Sequence, residues 1–379
     1  MKNTKSLIWY SFLLVLLVLG IYGLIIQTIH GHAVTGISKQ VPWGIYIAAF
    51  TFFIGVSTGS TLIGFIIYVF NVEYLKPIFF RTMIVGLVSL VAAVLFLVAD
   101  VGNPIRMLKV PILLRNTTSV FFYSSLSYYL FGGLMVYQFV SYIKLLKDPK
   151  NEKLNSRVRW LSIILFPLAM GIVLVPDGAL FSFVKAREFW NRPLLLPHFA
   201  NAAIVSAIAV ISIIAYLSEK LEKVELLNFA SRMLVGYLLI FLTAGVLFLD
   251  IFDILVLWYS EKPEGIEAWH SLTTSHLGFF LLNILGLVFA LLILISKRGK
   301  SFPKTLYASI LIILAISAYR YNLIIIGQEL PLLEGQVTES YFPTLFEIFI
   351  CAGITSFIIL AYHLMIKLLE NKNLASSNA

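Results

Sequence analysis

Long apolar segments recur along the whole sequence, and they constrain the fold more than any other feature. Each holds about 18 or more mostly apolar residues, enough to cross roughly 30 Å of hydrocarbon. Only 12% of the 379 residues are charged, about half the share typical of a soluble domain. The sequence therefore predicts an all-α, polytopic integral membrane protein of about ten transmembrane helices, not a soluble globular domain. The ten segments are about 8–30, 43–70, 80–99, 119–143, 158–176, 197–217, 228–259, 270–296, 303–326 and 341–368.

A weak internal repeat indicates how these helices are grouped. A pattern of residues that runs from Arg81 to Asp100 in the third segment recurs in similar form from Arg232 to Asp250 in the seventh. An offset of about 150 residues spans four helices and preserves their orientation. Within a single membrane domain, this predicts four-helix bundles at 43–176 and 197–326, with outer helices at 1–30 and 341–368. Chance similarity between two helices rich in leucine and valine is the alternative.

The distribution of lysine and arginine predicts the orientation in the membrane. If the N-terminus is inside, the inner segments hold 19 of the 28 basic residues, and the positive-inside rule then places both termini in the cytoplasm. The net charge of +9 does not indicate nucleic acid, because the basic residues form short clusters between apolar segments. The outer loops are longer and chemically richer, so we expect the working face there.

The cysteine and histidine content argues against a metal centre in this chain. Cys351 is the single cysteine, and one cysteine forms neither an internal disulfide nor an iron–sulfur cluster. Five of the six histidines fall at predicted outer ends, and no two lie in mid-membrane on helices that obviously face each other. A haem b subunit is therefore disfavoured, and any redox metal is expected in another chain.

The most suggestive polar motif closes the third helix, between Asp100 and Arg106. Gly102 and Pro104 favour a turn there, which would hold an acid and an arginine together at the mouth of a helix bundle. Such a pair could bind a polar head group and exchange protons with it, since ionisable groups in a membrane default to function. The alternative is a salt bridge that only stabilises the turn.

Three further motifs have two interpretations each. The small-residue stripe Gly55–Ser60 favours close helix packing, or a flat ligand against the glycine face. Asp250 and Asp253 share one helix face and could relay protons, unless the helix ends near Asp250 and leaves both at the interface. Arg320, in the sequence Arg-Tyr-Asn, could pair with Glu347 or with a partner protein.

Three motifs together resemble those of the NrfD/polysulfide-reductase membrane-subunit family. They are Pro42-Trp43-Gly44 at the start of the second helix, the glycine–serine stripe, and the Asp100–Arg106 turn. The helix count and the Arg-Tyr-Asn element are most similar to the HybB-type subunit of membrane-bound hydrogenases. The resemblance covers nearly the whole chain. Asn103 departs from it, because the family often has arginine at that place.

The resemblance implies a subunit without haem or metal that binds a quinone, menaquinone or ubiquinone, near the outer face. It implies two partners, an extracytoplasmic ferredoxin-like iron–sulfur subunit and a catalytic redox subunit. The implied location is a bacterial or archaeal cytoplasmic membrane. Electrons would run between the partners and the quinone, and the chain alone would have no catalytic activity.

These inferences lead to a set of candidate residues. We expect the quinone site to include Asp100, Arg106, His30 and Tyr123, and the proton path to include Asp250 and Asp253. Basic residues of the outer loops could dock an acidic partner surface or contact lipid head groups. They are Lys109, Arg115, Lys185, Arg187 and Arg192. The alternative function is a secondary transporter with intramembrane carboxylates.

Overall fold

A computed structural model describes residues 2–102, 120–172, 177–259, 262–296, 302–332, 336 and 338–377. Helices joined by loops and short helical turns make up this part of the chain, which contains no β-strand. The all-α, polytopic prediction is therefore confirmed. The helices, numbered here in chain order, are α1 (Lys2–His30), α2 (Ile45–Val69), α3 (Lys76–Val101), α4 (Val120–Lys147), α5 (Glu152–Ile172), α6 (Gly178–Ser182), α7 (Leu195–Leu217), α8 (Phe229–Tyr259), α9 (Pro263–Thr273), α10 (Leu277–Ile295), α11 (Phe302–Glu329) and α12 (Leu345–Ser377).

Nine helices of the described residues are long and apolar enough to cross a membrane. The predicted fifth span corresponds to α5, which begins with the polar sequence Glu-Lys-Leu-Asn-Ser-Arg. Residues 173–176, which complete that predicted segment, lie outside the described part of the chain. The tenth span therefore stays a prediction.

Helix α2 has a central place in the packing, because it contacts α3, α5, α7 and α11. Helices α1 and α12 pack against each other, and α12 also contacts α3. Helices α7 and α11 form a second set of contacts with α8 and α10. The division into two four-helix bundles with two outer helices stays a prediction.

The small-residue stripe of α2 lies against α7. A Cβ atom at Gly59 would collide with the carbonyl oxygen of Ala203, so only glycine permits this approach of the two backbones. Thr58 and Ser60, on either side, are buried and donate hydrogen bonds to carbonyl groups of α2 itself. Close packing thus accounts for the stripe.

The Pro42-Trp43-Gly44 motif joins the start of α2 to the end of α11. The Gln328 side chain accepts a hydrogen bond from the Trp43 N–H at 2.9 Å and donates one to the Trp43 carbonyl at 2.9 Å. The Trp43 ring stacks on Trp190, with ring centroids 5.8 Å apart. At Gly44, a Cβ atom would lie 2.5 Å from the Tyr341 hydroxyl. The motif therefore fixes the start of α2 and the end of α11 relative to each other.

At the opposite membrane face, the two arginines of the internal repeat hold one connecting segment, residues 218–222. Arg81 forms a 2.6 Å ion pair with Glu222 and donates to the Ser218 hydroxyl at 2.5 Å. Arg232 forms an ion pair with Glu219. Corresponding residues of the two predicted repeats thus contact the same turn, while the repeat itself stays a prediction.

Candidate functional site

Asp100 lies in a buried polar corner where α3 ends. Gly102 terminates the helix with φ +68°, a conformation that favours glycine. Gln27 of α1 donates to the Ala99 carbonyl at 2.8 Å and accepts from the Tyr46 hydroxyl at 2.7 Å. The Oδ1 atom of Asp100 is buried and has no hydrogen-bond partner within the described residues. We call Gln27, Tyr46 and Asp100 the α3 corner.

A second carboxylate lies near the α3 corner. Glu347 of α12 is fully buried and accepts hydrogen bonds from the Tyr341 hydroxyl and from the Gly36 and Thr344 N–H groups, each at 2.8 Å. Burial raises the pKa of Tyr341, and the neighbouring Glu347 raises it further. Glu347 is therefore satisfied by its own partners, whereas Oδ1 of Asp100 has none among the described residues.

The predicted quinone-site residues differ in where the structure places them. The His30 side chain is exposed at the end of α1, and Gln27, one turn earlier, makes the contact with α3 instead. The nearest ring to the turn is that of His32, whose Nε2 would lie 3.1 Å from a Cβ atom at Gly102. Tyr123 of α4 is 51% exposed. Arg106, Lys109 and Arg115 lie outside the described residues. The quinone-site assignment stays a prediction for all of them.

The α8 carboxylates are both buried, with 2% exposure for Asp250 and 6% for Asp253. Helix α8 continues to Tyr259, so the alternative in which the helix ends near Asp250 does not apply. Asp253 forms a 2.6 Å ion pair with Arg192. Asp250 Oδ2 accepts from the Asn283 amide at 3.2 Å, and its Oδ1 lies 2.7 Å from His198 Nε2. That last contact is close, but it is not aligned as a hydrogen bond.

We call Asp250, Asp253 and their partners Arg192, His198 and Asn283 the α8 charge cluster. Two residues of α11 extend it. The Tyr319 ring stacks on His198, with centroids 3.9 Å apart. The guanidinium group of Arg320, 2% exposed, lies 3.5 Å from the centre of the Phe199 ring. The structure thus places Arg320 against an aromatic ring of α7, whereas Glu347, its suggested partner, is held by other groups.

Several polar atoms of the cluster have no hydrogen-bond partner in the described part of the chain. They are Arg192 Nε, Tyr319 Oη, Arg320 Nε and Nη1, and Asn322 Oδ1. Arg192, Asp250, Asp253, Asn283, Tyr319 and Asn322 line a cavity of about 40 Å³. One water needs only roughly 10–15 Å³, and buried polar groups without protein partners are the usual sites of internal water. The cavity is therefore large enough, and its lining polar enough, to hold water between these groups.

Asp177, next to α6, adds another buried acid. It is 2% exposed and accepts a hydrogen bond from the Tyr128 hydroxyl of α4. Burial raises the pKa of Asp177 to about 7, while the Tyr128 hydrogen bond and the charge of Arg320 act in the opposite direction. Asp177 thus interacts with α4 through the Tyr128 hydrogen bond and with α11 through the charge of Arg320.

The three described candidates for partner docking have different environments. Lys185 is exposed. Arg187 donates to the carbonyl groups of Gln328 and Leu330, and Arg192 pairs with Asp253. These two arginines therefore have internal partners, and a docking role stays a prediction for each of the three.

Sequence reasoning missed Gln27, Tyr46, His198 and Asp177 as members of polar clusters. The first two carry no signal, since glutamine and tyrosine are common near membrane interfaces. For His198 a signal existed. A histidine and an aspartate predicted near the outer ends of neighbouring helices are natural partners, because unpaired charges in a membrane are costly.

Comparison with known proteins gives consistent matches. Residues 33–331 match the family described as polysulphide reductase, NrfD. The Hdr-like menaquinol oxidoreductase integral membrane subunit of Archaeoglobus fulgidus is 27% identical, over 92% of this chain and 89% of that protein. A selenate reductase subunit of Mesobacillus selenatarsenatis is 24% identical, over 95% of this chain and 93% of that protein. The menaquinone reductase integral membrane subunit of Nitratidesulfovibrio vulgaris is 29% identical over a shorter region, 27% of this chain and 25% of that protein.

The predicted family is therefore confirmed, whereas the ten-helix HybB-type variant stays a prediction. The match covers more than three quarters of the chain, from the loop after α1 to the end of α11. It includes Tyr46 and Asp100 of the α3 corner, the Pro-Trp-Gly motif and the α8 charge cluster, whereas Gln27 precedes the matched region. This multi-pass membrane protein belongs to the NrfD polysulphide reductase family.

Proposed function

We propose that this chain is the quinone-binding membrane anchor of a respiratory oxidoreductase complex. It would pass electrons between an extracytoplasmic iron–sulfur subunit and the membrane quinone pool. The quinone proposed first is menaquinone. The names of two matched relatives, a menaquinol oxidoreductase subunit and a menaquinone reductase subunit, support the ligand. The name of the selenate reductase relative supports membership of a reductase with several subunits.

The buried Oδ1 of Asp100 is the observation that carries the proposal. This oxygen has no hydrogen-bond partner among the described residues. Because burying a carboxylate oxygen without a partner is costly, such an oxygen suits a ligand that brings a hydroxyl group. A quinol has two such groups, and each loses a proton when the quinol is oxidised. In this proposal Asp100 accepts a hydrogen bond from the head group and takes its proton, while Tyr46 and Gln27 hold the end of α3 in place. Arg106, His30 and Tyr123 complete the proposed site.

The α8 charge cluster supports a proton path that involves Asp250 and Asp253. The close but unaligned approach of His198 to Asp250 leaves both groups able to form hydrogen bonds with water. Proton exchange between a buried acid, a histidine and water is the chemistry that such a cluster can perform. Asp250→Asn, which preserves shape and removes the ionisable group, would slow quinone-linked turnover without loss of bound quinone.

The first test is to purify the tagged chain in a mild detergent with the proteins that accompany it. The proposal predicts a cysteine-rich partner with an iron–sulfur absorbance and a quinone in the solvent extract. A chain that purifies without partner, quinone or chromophore would contradict the proposal and favour secondary transport.

The second test is the Asp100→Asn variant of that complex. Mixed with a short-chain menaquinol analogue, it would exchange electrons with the partner's clusters roughly 100-fold more slowly than wild type, which is the lower end of the usual effect of a general base. Asp148→Asn is the matched control, because Asp148 is exposed at the end of α4. Equal rates for the two variants would exclude a role of Asp100 in the reaction.

A further inference from the structure

A second cavity, of about 550 Å³, lies toward the membrane face predicted to be cytoplasmic. It is lined by α2, α3, the last two turns of α7 and the segment that follows them, residues 355–363 of α12, and Trp9 of α1. We call it the inner cavity. Among the described residues, its lining includes no member of the α3 corner or of the α8 charge cluster. It is therefore a separate feature of the fold.

The walls of the inner cavity are apolar, and its mouth opens toward the lipid. Val88 and Ile214 are typical of the lining. At the edge, Trp9 is 45%, Leu217 42% and Leu221 68% exposed. In a membrane, exposed apolar side chains of this kind contact hydrocarbon, so a ligand enters sideways from the bilayer. The volume lies within the roughly 300–1,000 Å³ of small-molecule sites, which suits a long-chain, membrane-soluble compound.

Four side chains of the lining carry hydroxyl groups that can donate or accept hydrogen bonds: Ser89, Ser218, Thr355 and Tyr362. Glu222 and His363, toward the inner end, are the two whose acceptor atoms bear on which head group fits. Glu222 lines the cavity and is ion-paired with Arg81, so its carboxylate offers only acceptor atoms. His363 also lines it, and its Nδ1 lies 2.8 Å from the Ile359 carbonyl. Because a carbonyl only accepts, Nδ1 carries the hydrogen, and in the tautomer that this contact selects Nε2 is the acceptor.

An acceptor on each of these side chains favours a ligand that donates hydrogen bonds through hydroxyl groups. A quinol has two such groups on an otherwise apolar ring, whereas a quinone offers only carbonyl acceptors. We propose that the inner cavity binds an isoprenoid quinol, with its head group between Glu222 and His363 and its chain along Val88 and Ile214. The identity of the ligand rests on the proposed function, but the site is a second one, on the opposite face of the membrane from Asp100.

The test uses a photoreactive azido-menaquinol analogue with a long isoprenoid chain, added to the purified complex and mapped by peptide mass spectrometry. Wild type would be labelled near Asp100 and, separately, on α7 or α12 beside the inner cavity. Ile214→Trp, which fills the cavity, would abolish only the inner label, and Asp100→Asn would weaken only the outer one. Leu282→Trp on the exposed side of α10 is the matched control for the tryptophan.

A second variant keeps the test valid if Ile214→Trp fails to fold. His363→Leu would lower the inner label roughly tenfold, the effect of losing about one hydrogen bond, while His270→Leu, at an exposed histidine, would leave it unchanged.

Three outcomes would overturn the inference. Outer labelling alone, in wild type and variants, would exclude the second site and leave the proposed function intact. A phospholipid retained in the inner cavity, seen by native mass spectrometry together with the absence of inner label, would assign the cavity to lipid. No label at either place would contradict both proposals.

Discussion

The ion pair between Arg192 and Asp253 offers a direct test of how this fold is held together. Both side chains are nearly buried, with 11% and 9% exposure, and their charged atoms are 2.6 Å apart. Removing one partner of a buried pair typically costs about 3–5 kcal/mol, because the other charge is left without compensation. Arg192 also lies 4.4 Å over the Phe189 ring, a contact worth roughly 0.5–2 kcal/mol. Arg192→Met should therefore destabilise the protein strongly.

At about 2 °C per kcal/mol, the lower end for large chains, Arg192→Met and Asp253→Asn would each lower the melting temperature by about 6–10 °C. The double variant would recover much of that loss, since replacing both members of a buried pair is often close to neutral. The assay is thermal unfolding of the purified protein in one detergent at one heating rate, because unfolding of membrane proteins is commonly irreversible.

Lys185→Met serves as the control, since Lys185 belongs to the same loop and is exposed. It should change the melting temperature by no more than about 1 °C. If both single variants melt within about 2 °C of wild type and their effects add, Arg192 does not stabilise the fold through Asp253. The docking interpretation of Arg192 would then be the better one, and its loss should release the partner subunit.

Two further predictions concern other parts of the molecule. Burial raises the pKa of Asp177 to about 7 from an ordinary value near 4, so the folded state binds a proton more tightly than the unfolded state, and this group's contribution to stability falls as the pH rises from about 4 to about 7. The melting temperature of Asp177→Asn should accordingly change less with pH across that range than that of wild type. An unchanged pH dependence would contradict the assignment. Gly59→Val should lower the melting temperature by about 2–6 °C through overpacking against Ala203, whereas Gly133→Val, where a Cβ meets nothing within 4 Å, should have little effect. Equal losses for the two variants would show that close backbone approach is not what requires glycine in α2.

Hydropathy predicts most of this fold because crossing the bilayer imposes a length and an apolar composition on each helix. Hydropathy does not predict which side chains of different helices contact each other. Arg192 and Asp253 are separated by about 60 residues, and no local pattern indicates that their side chains meet. The excess of positive charge on an outer loop suggested a partner protein, whereas the structure gives Arg192 and Arg187 partners within the same chain. A search for acids predicted at the same depth in the membrane as Arg192 would have included Asp253.

The candidate site could be predicted only where the backbone signals it. Asp100 is predicted as a site residue because Gly102 and Pro104 favour a turn directly after a long apolar helix, and its role stays a prediction. Gln27 and Tyr46 are not predicted, since their hydrogen bonds to each other and to the Ala99 carbonyl join three different helices. Their contribution depends on where α1 and α2 lie relative to α3, and that follows from packing of the whole bundle.

The paired hydrogen bonds between Gln328 and Trp43 have a consequence for how the protein unfolds. The amide of Gln328 satisfies both backbone groups of Trp43, as a neighbouring strand would. If the two helices separated there, the freed N–H and carbonyl would each lose a partner, at about 1–3 kcal/mol apiece where no water reaches them. The start of α2 and the end of α11 should therefore open together as one cooperative unit in hydrogen exchange, although 285 residues separate them in the chain.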